Sequence, residues 1–119
     1  SNPNKSRFLE MNGSEIFKFT NSTIPLVFSN IENKINGDLQ FDYCIFHQAN
    51  KYMLNHLRNK LGIDEKKFII DMENYGNTVS STIPIALCNL LKKDDLKNKK
   101  IMLVGFGVGL SYSACLIKL

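Results

Sequence analysis

Short apolar runs alternate with longer stretches of helical spacing along this chain, and this alternation constrains the fold more than any other feature. Apolar residues recur at helical spacing over residues 15–35. Within this stretch Pro25 predicts a kink or two helical pieces, and Gly37 is the predicted helix stop. The short aromatic run at 41–46 then predicts a buried strand.

The middle of the chain repeats the same alternation. Asn50 is placed to cap a second helix, which is predicted to stop at Gly62. Residues 68–70 predict a brief strand, and residues 79–91 predict a third helix that is apolar on nearly every face. Such a helix is typical of an element buried between two layers, so we expect 119 residues not to be the whole protein.

Two strands are predicted near the end of the chain, at 101–104 and 112–119, with a glycine-rich turn at 105–109 between them. Strands joined by so short a turn are expected to be antiparallel. The predicted order is helix–β–α–β–α–β–β. The sequence therefore predicts an α/β fold with a mixed sheet and flanking helices.

Composition excludes several classes of protein. With 44% hydrophobic and 22% charged residues the chain is typical of a globular domain, and disorder is not expected. The net charge of +4 comes from scattered lysines, which suits an acidic protein partner better than nucleic acid. No stretch is long enough to span a bilayer and no secretory signal is present, so a cytoplasmic location is expected.

Three cysteines, Cys44, Cys88 and Cys115, are widely spaced and each lies in an apolar stretch. We interpret them as reduced core residues in a reducing compartment. None has an obvious nucleophile context. Cys44 and His47 lack a second pair of clustered ligands, so no metal site is predicted.

Two polar segments indicate chemistry. His47 follows the predicted strand at 41–46, and Asn77 lies in a turn before the third helix. A lone histidine is more often structural, and Thr78 in the same turn could simply cap the next helix. Together, however, a histidine and an asparagine can stabilise a developing oxyanion as neutral hydrogen-bond donors. The chain is therefore predicted to contribute to an active site.

The glycine-rich segment at 105–109 does not match a dinucleotide-binding fingerprint. That fingerprint would need glycine where Leu110 stands, and a helix rather than a strand should follow. Two interpretations remain open. The glycines could let backbone N–H groups approach a substrate closely, or they could form a plain tight hairpin.

Taken together, the motifs at 11–17, 47–50, 75–78 and 105–109 resemble the C-terminal part of the 3-oxoacyl-acyl-carrier-protein synthase III family. This family belongs to the thiolase-fold superfamily. The resemblance implies that residues 1–119 form a single C-terminal half-domain of a thiolase-like fold. The N-terminal half, which bears the family's nucleophilic cysteine, is absent from this sequence.

The resemblance also implies an activity. Members of the family join an acyl group from acyl-CoA to malonyl-acyl-carrier protein by decarboxylative Claisen condensation in fatty-acid biosynthesis. His47 and Asn77 match the family's catalytic histidine and asparagine. The two thioesters are substrates and no cofactor is expected. The alternative is a non-catalytic domain on the same fold that binds carrier protein or acyl thioester.

Further residues match positions that contact the substrate in the family. Asn50 resembles the residue that positions the thioester arm, Phe106 the aromatic beside the nucleophile, and the backbone around Val108 the oxyanion-hole loop. The family's Thr-Trp-Gly is replaced by residues 111–113, Ser-Tyr-Ser, which suggests a paralogue. The other substrate-binding residues implied by the resemblance are Gly13, Gly107 and Gly109.

The expected partners are acyl carrier protein, a coenzyme A thioester, the N-terminal half of the same protein and, at full length, a second copy in a homodimer. Nucleic acid and membrane are not expected partners. Carrier docking in the family uses basic residues on the two helices that flank the His-Gln-Ala-Asn motif. Tyr52 and Asn59 replace two of these residues. The basic residues that match or lie adjacent are Lys18, Lys51, Arg58 and Lys60.

Overall fold

The computed structural model describes residues 12–107 and 109–119 of the chain. Their order of helices and strands agrees with the predicted one, apart from a short 3-10 helix that precedes the third α-helix. The elements are α1 (Gly13–Ile35), β1 (Tyr43–Phe46), α2 (Lys51–Leu61), β2 (Phe68–Ile69), the 3-10 helix (Val79–Ser81), α3 (Thr82–Lys93), β3 (Lys100–Gly107) and β4 (Ser111–Lys118).

The four strands form one mixed sheet in the order β2-β1-β3-β4. β1 is parallel to both β2 and β3, whereas β3 and β4 are antiparallel, as predicted. Because β1, β2 and β3 run in the same direction, their carboxyl ends lie at one edge of the sheet. This is the edge at which α/β proteins place functional groups.

Helices cover both faces of the sheet because side chains along each strand alternate between the faces. On one face, Phe46 packs in a core that includes Ile24 of α1 and Leu54 of α2. On the other face, Ile45 packs against Ala86 of α3. The predicted α/β architecture with a mixed sheet and flanking helices is therefore confirmed.

Pro25 lies inside α1 and does not divide it into two pieces. Proline has no N–H, so the carbonyl of Asn21, four residues earlier, has no proline N–H to accept. The ammonium of Lys60 on α2 donates to that Asn21 oxygen at 2.7 Å. Buried residues on both sides of the proline, Ile24 and Val27, anchor the helix to the core. A hydrogen bond between two helices thus replaces the one that proline removes.

Asn50 and Gly62 bound α2 as predicted. The side-chain oxygen of Asn50 accepts a hydrogen bond from the backbone N–H of Met53 at 2.8 Å. Gly62 adopts a φ of 67°, a left-handed conformation that glycine takes without steric cost. α1 ends one position before the predicted stop, at a left-handed Asn36.

α3 is covered on one side only, which agrees with the expectation that its apolar composition requires a second layer beyond these 119 residues. Its buried residues, Thr82, Ala86 and Leu90, form the face against the sheet. The opposite side is open, and Val79 in the preceding turn is 72% exposed. Apolar residues beyond one helical stripe need a second covering layer, and the described residues supply only one.

The predicted core position is correct for one cysteine of three. Cys44 on β1 is buried, whereas Cys88 and Cys115 are exposed, and all three are free thiols. Cys88 lies on the open side of α3, and Cys115 lies on β4 at the edge of the sheet. An apolar sequence neighbourhood did not distinguish a covered face from an uncovered one.

The glycine-rich segment is mostly strand rather than turn. Gly105 and Gly107 belong to β3 and pair with Ser113 and Ser111 of β4. The connection is therefore shorter than predicted. Gly109, within it, has a φ of 132°, a conformation that residues with side chains rarely adopt.

Candidate functional site

His47 lies directly after β1, at the carboxyl edge of the parallel strands. Its backbone N–H donates to the carbonyl of Val104 on β3 at 2.7 Å, which extends the pairing of the two strands by one residue. The half-buried imidazole lies nearly perpendicular to the ring of Phe106, with 5.4 Å between the ring centroids. β1 and β3 therefore bring together two of the residues that the sequence marked as functional.

A third side chain, on α3, also contacts His47. The hydroxyl oxygen of Thr82, the first residue of α3, lies 2.7 Å from the Nδ1 atom of His47. Sequence reasoning missed Thr82. The available signal was its position at the start of the helix that follows the Gly-Asn-Thr turn, which the predicted site already included.

Asn77 lies in the segment that leads into α3, five residues before Thr82. Its side-chain oxygen accepts a hydrogen bond from the backbone N–H of Val79 at 2.9 Å. That bond uses the oxygen of the amide, whereas the predicted catalytic role requires its N–H groups. The approach of the His47 and Asn77 polar atoms to one shared oxygen stays a prediction.

The backbone next to Asn77 is strained. Val79 has a φ of 58°, in the left-handed region that a β-branched residue rarely occupies. The hydrogen bond from the Val79 N–H to Asn77 holds this conformation. Strain of this kind concentrates at functional sites, where the surrounding structure maintains an unusual backbone.

Gln48 joins the loops that follow β1 and β2. Its buried amide nitrogen donates to the carbonyls of Phe46 at 2.7 Å and Ile69 at 3.3 Å. Its oxygen accepts from the backbone N–H of Asp71 at 2.7 Å, and the Asp71 carboxylate accepts from the side-chain amide of Asn89 on α3 at 2.7 Å. These hydrogen bonds connect the strand end that bears His47 to the loop that leads to Asn77.

The remaining predicted substrate-binding residues lie in three places. Asn50 follows His47 closely, and its side-chain oxygen caps α2. Gly107 ends β3, and Gly109 follows it in the connection to β4, whereas the predicted oxyanion-loop residue Val108 lies outside the described residues. Gly13 is the exposed first residue of α1, and Met11 of the motif at 11–17 also lies outside the described residues.

The four predicted docking residues differ in their surroundings. Lys18 is exposed and lies 3.6 Å from the carboxylate of Glu15, while Lys51 is exposed at the start of α2. Lys60 donates to the Asn21 carbonyl, and an Nη atom of Arg58 donates to the carbonyl of Ile63 at 3.3 Å just beyond the end of α2. Lys60 and Arg58 therefore also stabilise the helices on which docking would occur.

Burial changes the protonation chemistry of two groups. It lowers the pKa of the His47 imidazole from its ordinary value of 6.5, because a charged ring loses hydration there. A neutral imidazole can donate a hydrogen bond to an oxygen without transferring its proton to that oxygen. Burial raises the pKa of the Cys44 thiol, which argues against Cys44 as a thiolate nucleophile.

The lowered pKa of His47 predicts a pH-dependent stability. Because the unfolded histidine binds a proton first, its contribution to stability is intact above pH 6.5 and is lost as pH falls toward the folded-state pKa. We expect urea denaturation to show a larger loss of stability between about pH 7 and 5.5 for the wild type than for His47→Gln. An identical loss in both proteins would contradict the lowered pKa.

The described ranges contain neither a cluster of metal ligands nor a helix suited to crossing a lipid bilayer. No group of three His, Cys, Asp or Glu side chains there could hold a metal ion. Among the helices of residues 12–107, none is both long enough and apolar enough to cross a membrane.

Comparison with known proteins shows the family to which the chain belongs. Residues 36–119 match the family described as 3-oxoacyl-acyl-carrier-protein synthase III C terminal. The chain is 43% identical over 116 residues to the beta-ketoacyl-acyl-carrier-protein synthase III of Clostridium tetani, covering 96% of this chain and 35% of that protein. It is 40% identical over 120 residues to the beta-ketoacyl-acyl-carrier-protein synthase III of Natranaerobius thermophilus, and the match covers 96% of this chain and 35% of that protein.

Solved structures give the same result. A 2.1 Å crystal structure of a 3-oxoacyl-acyl-carrier-protein synthase III superposes with a TM-score of 0.86 at 38% identity, covering 92% of this chain and 33% of that one. The synthase III from Thermus thermophilus superposes with a TM-score of 0.87 at 27% identity, covering 96% and 36%.

The fold is thus thiolase-like, as the sequence motifs implied. The chain belongs to the 3-oxoacyl-acyl-carrier-protein synthase III family and matches the C-terminal part of its members. It spans 35% of the length of the curated relatives cited above.

Proposed function

We propose that this chain acts as the C-terminal part of a condensing acyltransferase. The complete enzyme would join an acyl group from acyl-CoA to malonyl-acyl-carrier protein, in the cytoplasm and without a metal or cofactor. The observation that supports this proposal most is the position of His47 and its contacts. A half-buried imidazole with a lowered pKa lies at the carboxyl edge of the parallel strands, between Phe106 and Thr82.

The proposed roles follow from the charge that develops during decarboxylation. When malonyl thioester loses carbon dioxide, its thioester oxygen takes on enolate charge. His47 and Asn77 would donate hydrogen bonds to that oxygen, and each such donor is worth about 2.7–4 kcal/mol in the transition state. Neutral donors suit this step because they stabilise the anion without protonating it fully, and burial keeps His47 neutral.

The nucleophile would come from the N-terminal half of the same protein. That half would bear the cysteine that accepts the acyl group, and the resulting thioester would meet the enolate formed beside His47. The raised pKa of Cys44 supports this division of labour, because a protonated buried thiol is a poor nucleophile. The complete protein would act as a homodimer. Phe106 would lie beside the acylated cysteine, and Asn50 along the thioester arm.

The complete protein should form 3-oxoacyl-carrier protein from acetyl-CoA and malonyl-carrier protein. The 119-residue chain alone should form none, because it lacks the nucleophile half. Product is measured by mass spectrometry of the carrier protein. Binding of malonyl-carrier protein without any condensation by the complete protein would contradict the proposal and favour a non-catalytic binding domain.

Carrier docking would use the exposed basic residues beside the site. Reversing the charge of Lys18 or Lys51 to glutamate should raise KM for malonyl-carrier protein about tenfold with little change in kcat, since carrier proteins are acidic and such residues act on encounter. Lys118→Glu is the matched control because Lys118 pairs with Lys100, at the opposite edge of the sheet from His47. An equal rise in KM for the control would contradict a local docking surface.

A further inference from the structure

Thr82 differs from other hydroxyl residues in the helices of this chain. Thr20 donates back to carbonyls of its own helix, at 3.1 Å to Ile16 and 3.0 Å to Phe17, and Ser29 donates to Pro25 at 3.2 Å. Thr82 points away from its helix instead. In the described ranges its hydroxyl has one hydrogen-bond partner, Nδ1 of His47 at 2.7 Å. The bond joins α3 to the end of β1.

The direction of this hydrogen bond follows from burial. Thr82 is 3% exposed, so water is not available to accept the proton of its hydroxyl. If Nδ1 of His47 donated to Thr82, that proton would be left buried without an acceptor. If Thr82 donates, its proton is satisfied and Nδ1 supplies the lone pair. The second arrangement leaves no buried donor unpaired and is therefore favoured.

We propose that Thr82 is a positioning residue that fixes the tautomer of His47. With its Nδ1 atom accepting from Thr82, a neutral His47 must carry its proton on Nε2. Nε2–H is then the donor available to a substrate oxygen, and it is supplied in one defined direction. This inference rests on the proposed function for its catalytic meaning, while the tautomer itself is a property of the folded protein.

The arrangement also resists protonation of His47. A doubly protonated ring has no lone pair on Nδ1, so the Thr82 hydroxyl would lose its acceptor and have to rotate. This acts in the same direction as burial, which lowers the pKa of His47. The other polar side chains on the elements around the ring form their hydrogen bonds with other partners than His47. Asn77 bonds to Val79, and Gln48 bonds to backbone groups of the strand ends.

The tautomer is measured directly by ¹⁵N spectroscopy of histidine-labelled complete protein, with the His47 signals assigned by their loss in His47→Gln. We expect wild-type His47 to be protonated on Nε2 at neutral pH. Thr82→Val, which removes only the hydroxyl, should increase the fraction protonated on Nδ1, and Thr82→Ser should restore the wild-type tautomer. A wild-type His47 protonated on Nδ1 would overturn the proposal without any variant.

The kinetic measurement separates this inference from the proposed function. Thr82→Val should lower kcat for malonyl decarboxylation about 10- to 100-fold with little change in KM, and Thr82→Ser should stay within about threefold of wild type. Thr20→Val is the matched control, because its hydroxyl serves its own helix. Unchanged decarboxylation in His47→Gln would contradict the proposed function. If His47→Gln lowers kcat for decarboxylation and Thr82→Val does not, the role of Thr82 is contradicted and the proposed function is not.

Discussion

Replacing His47 or Asn77 by alanine in the complete protein should lower malonyl decarboxylation by about 10²- to 10³-fold. In the proposed mechanism, each substitution would remove one neutral donor from the oxygen that gains charge. Transfer of the acyl group from acyl-CoA to the cysteine should change little, because that step precedes enolate formation. Release of carbon dioxide from malonyl-carrier protein and acylation of the cysteine by radiolabelled acetyl-CoA measure the two steps separately.

The matched control for this prediction is His56→Ala. His56 lies on α2, and its Nε2 atom is 2.8 Å from the side-chain oxygen of Asn21 on α1. We expect decarboxylation by this variant to stay close to that of wild type. Decarboxylation left intact in both His47→Ala and Asn77→Ala would refute the assigned roles.

Replacing Phe46 by alanine should destabilise the chain by about 3–5 kcal/mol. Phe46 is completely buried at the end of β1, and its ring contacts Phe28, Phe68 and Phe106, with centroids 6.1, 5.1 and 6.4 Å away. Truncation leaves a cavity among rings that belong to different elements and cannot collapse together. Urea denaturation followed by circular dichroism measures the loss.

This loss is a large part of the free energy of unfolding of a typical domain, which is about 5–15 kcal/mol. Leu26→Ala is the matched control, because Leu26 is 61% exposed on α1. Its effect should stay within about 0.5 kcal/mol. Similar losses for the two variants would show that Phe46 is not the centre of the core. Because Phe46 also precedes His47, the alanine variant should lose activity through displacement of the imidazole.

Local sequence rules predicted much of the fold. Apolar periodicity identified each helix and strand, and Asn50 and Gly62 marked the ends of α2. These predictions succeeded because capping and left-handed helix ends depend on residues only a few positions apart. The position of His47 at a strand end was predictable for the same reason, since an aromatic strand stops there.

Predictions failed where a distant segment decides the outcome. Two of the three cysteines were expected to lie in the core, but exposure depends on which faces other elements cover. Glycines at 105 and 107 indicated a turn, yet pairing with β4 extends β3 through both. Neither the composition of a segment nor its periodicity shows which distant segment will pack against it.

The sequence by itself determined the order of the elements, the two ends of α2 and the polar residue type at the end of β1. Only the tertiary structure decided how those residues are held. Lys60 satisfies the carbonyl that Pro25 leaves free from 39 residues away, and Thr82 reaches His47 across 35 residues. The physical reason is common to both contacts: the partner of each polar group is chosen by the packing of the helices against the sheet rather than by position along the chain. For the buried hydroxyl of Thr82 such a partner is required.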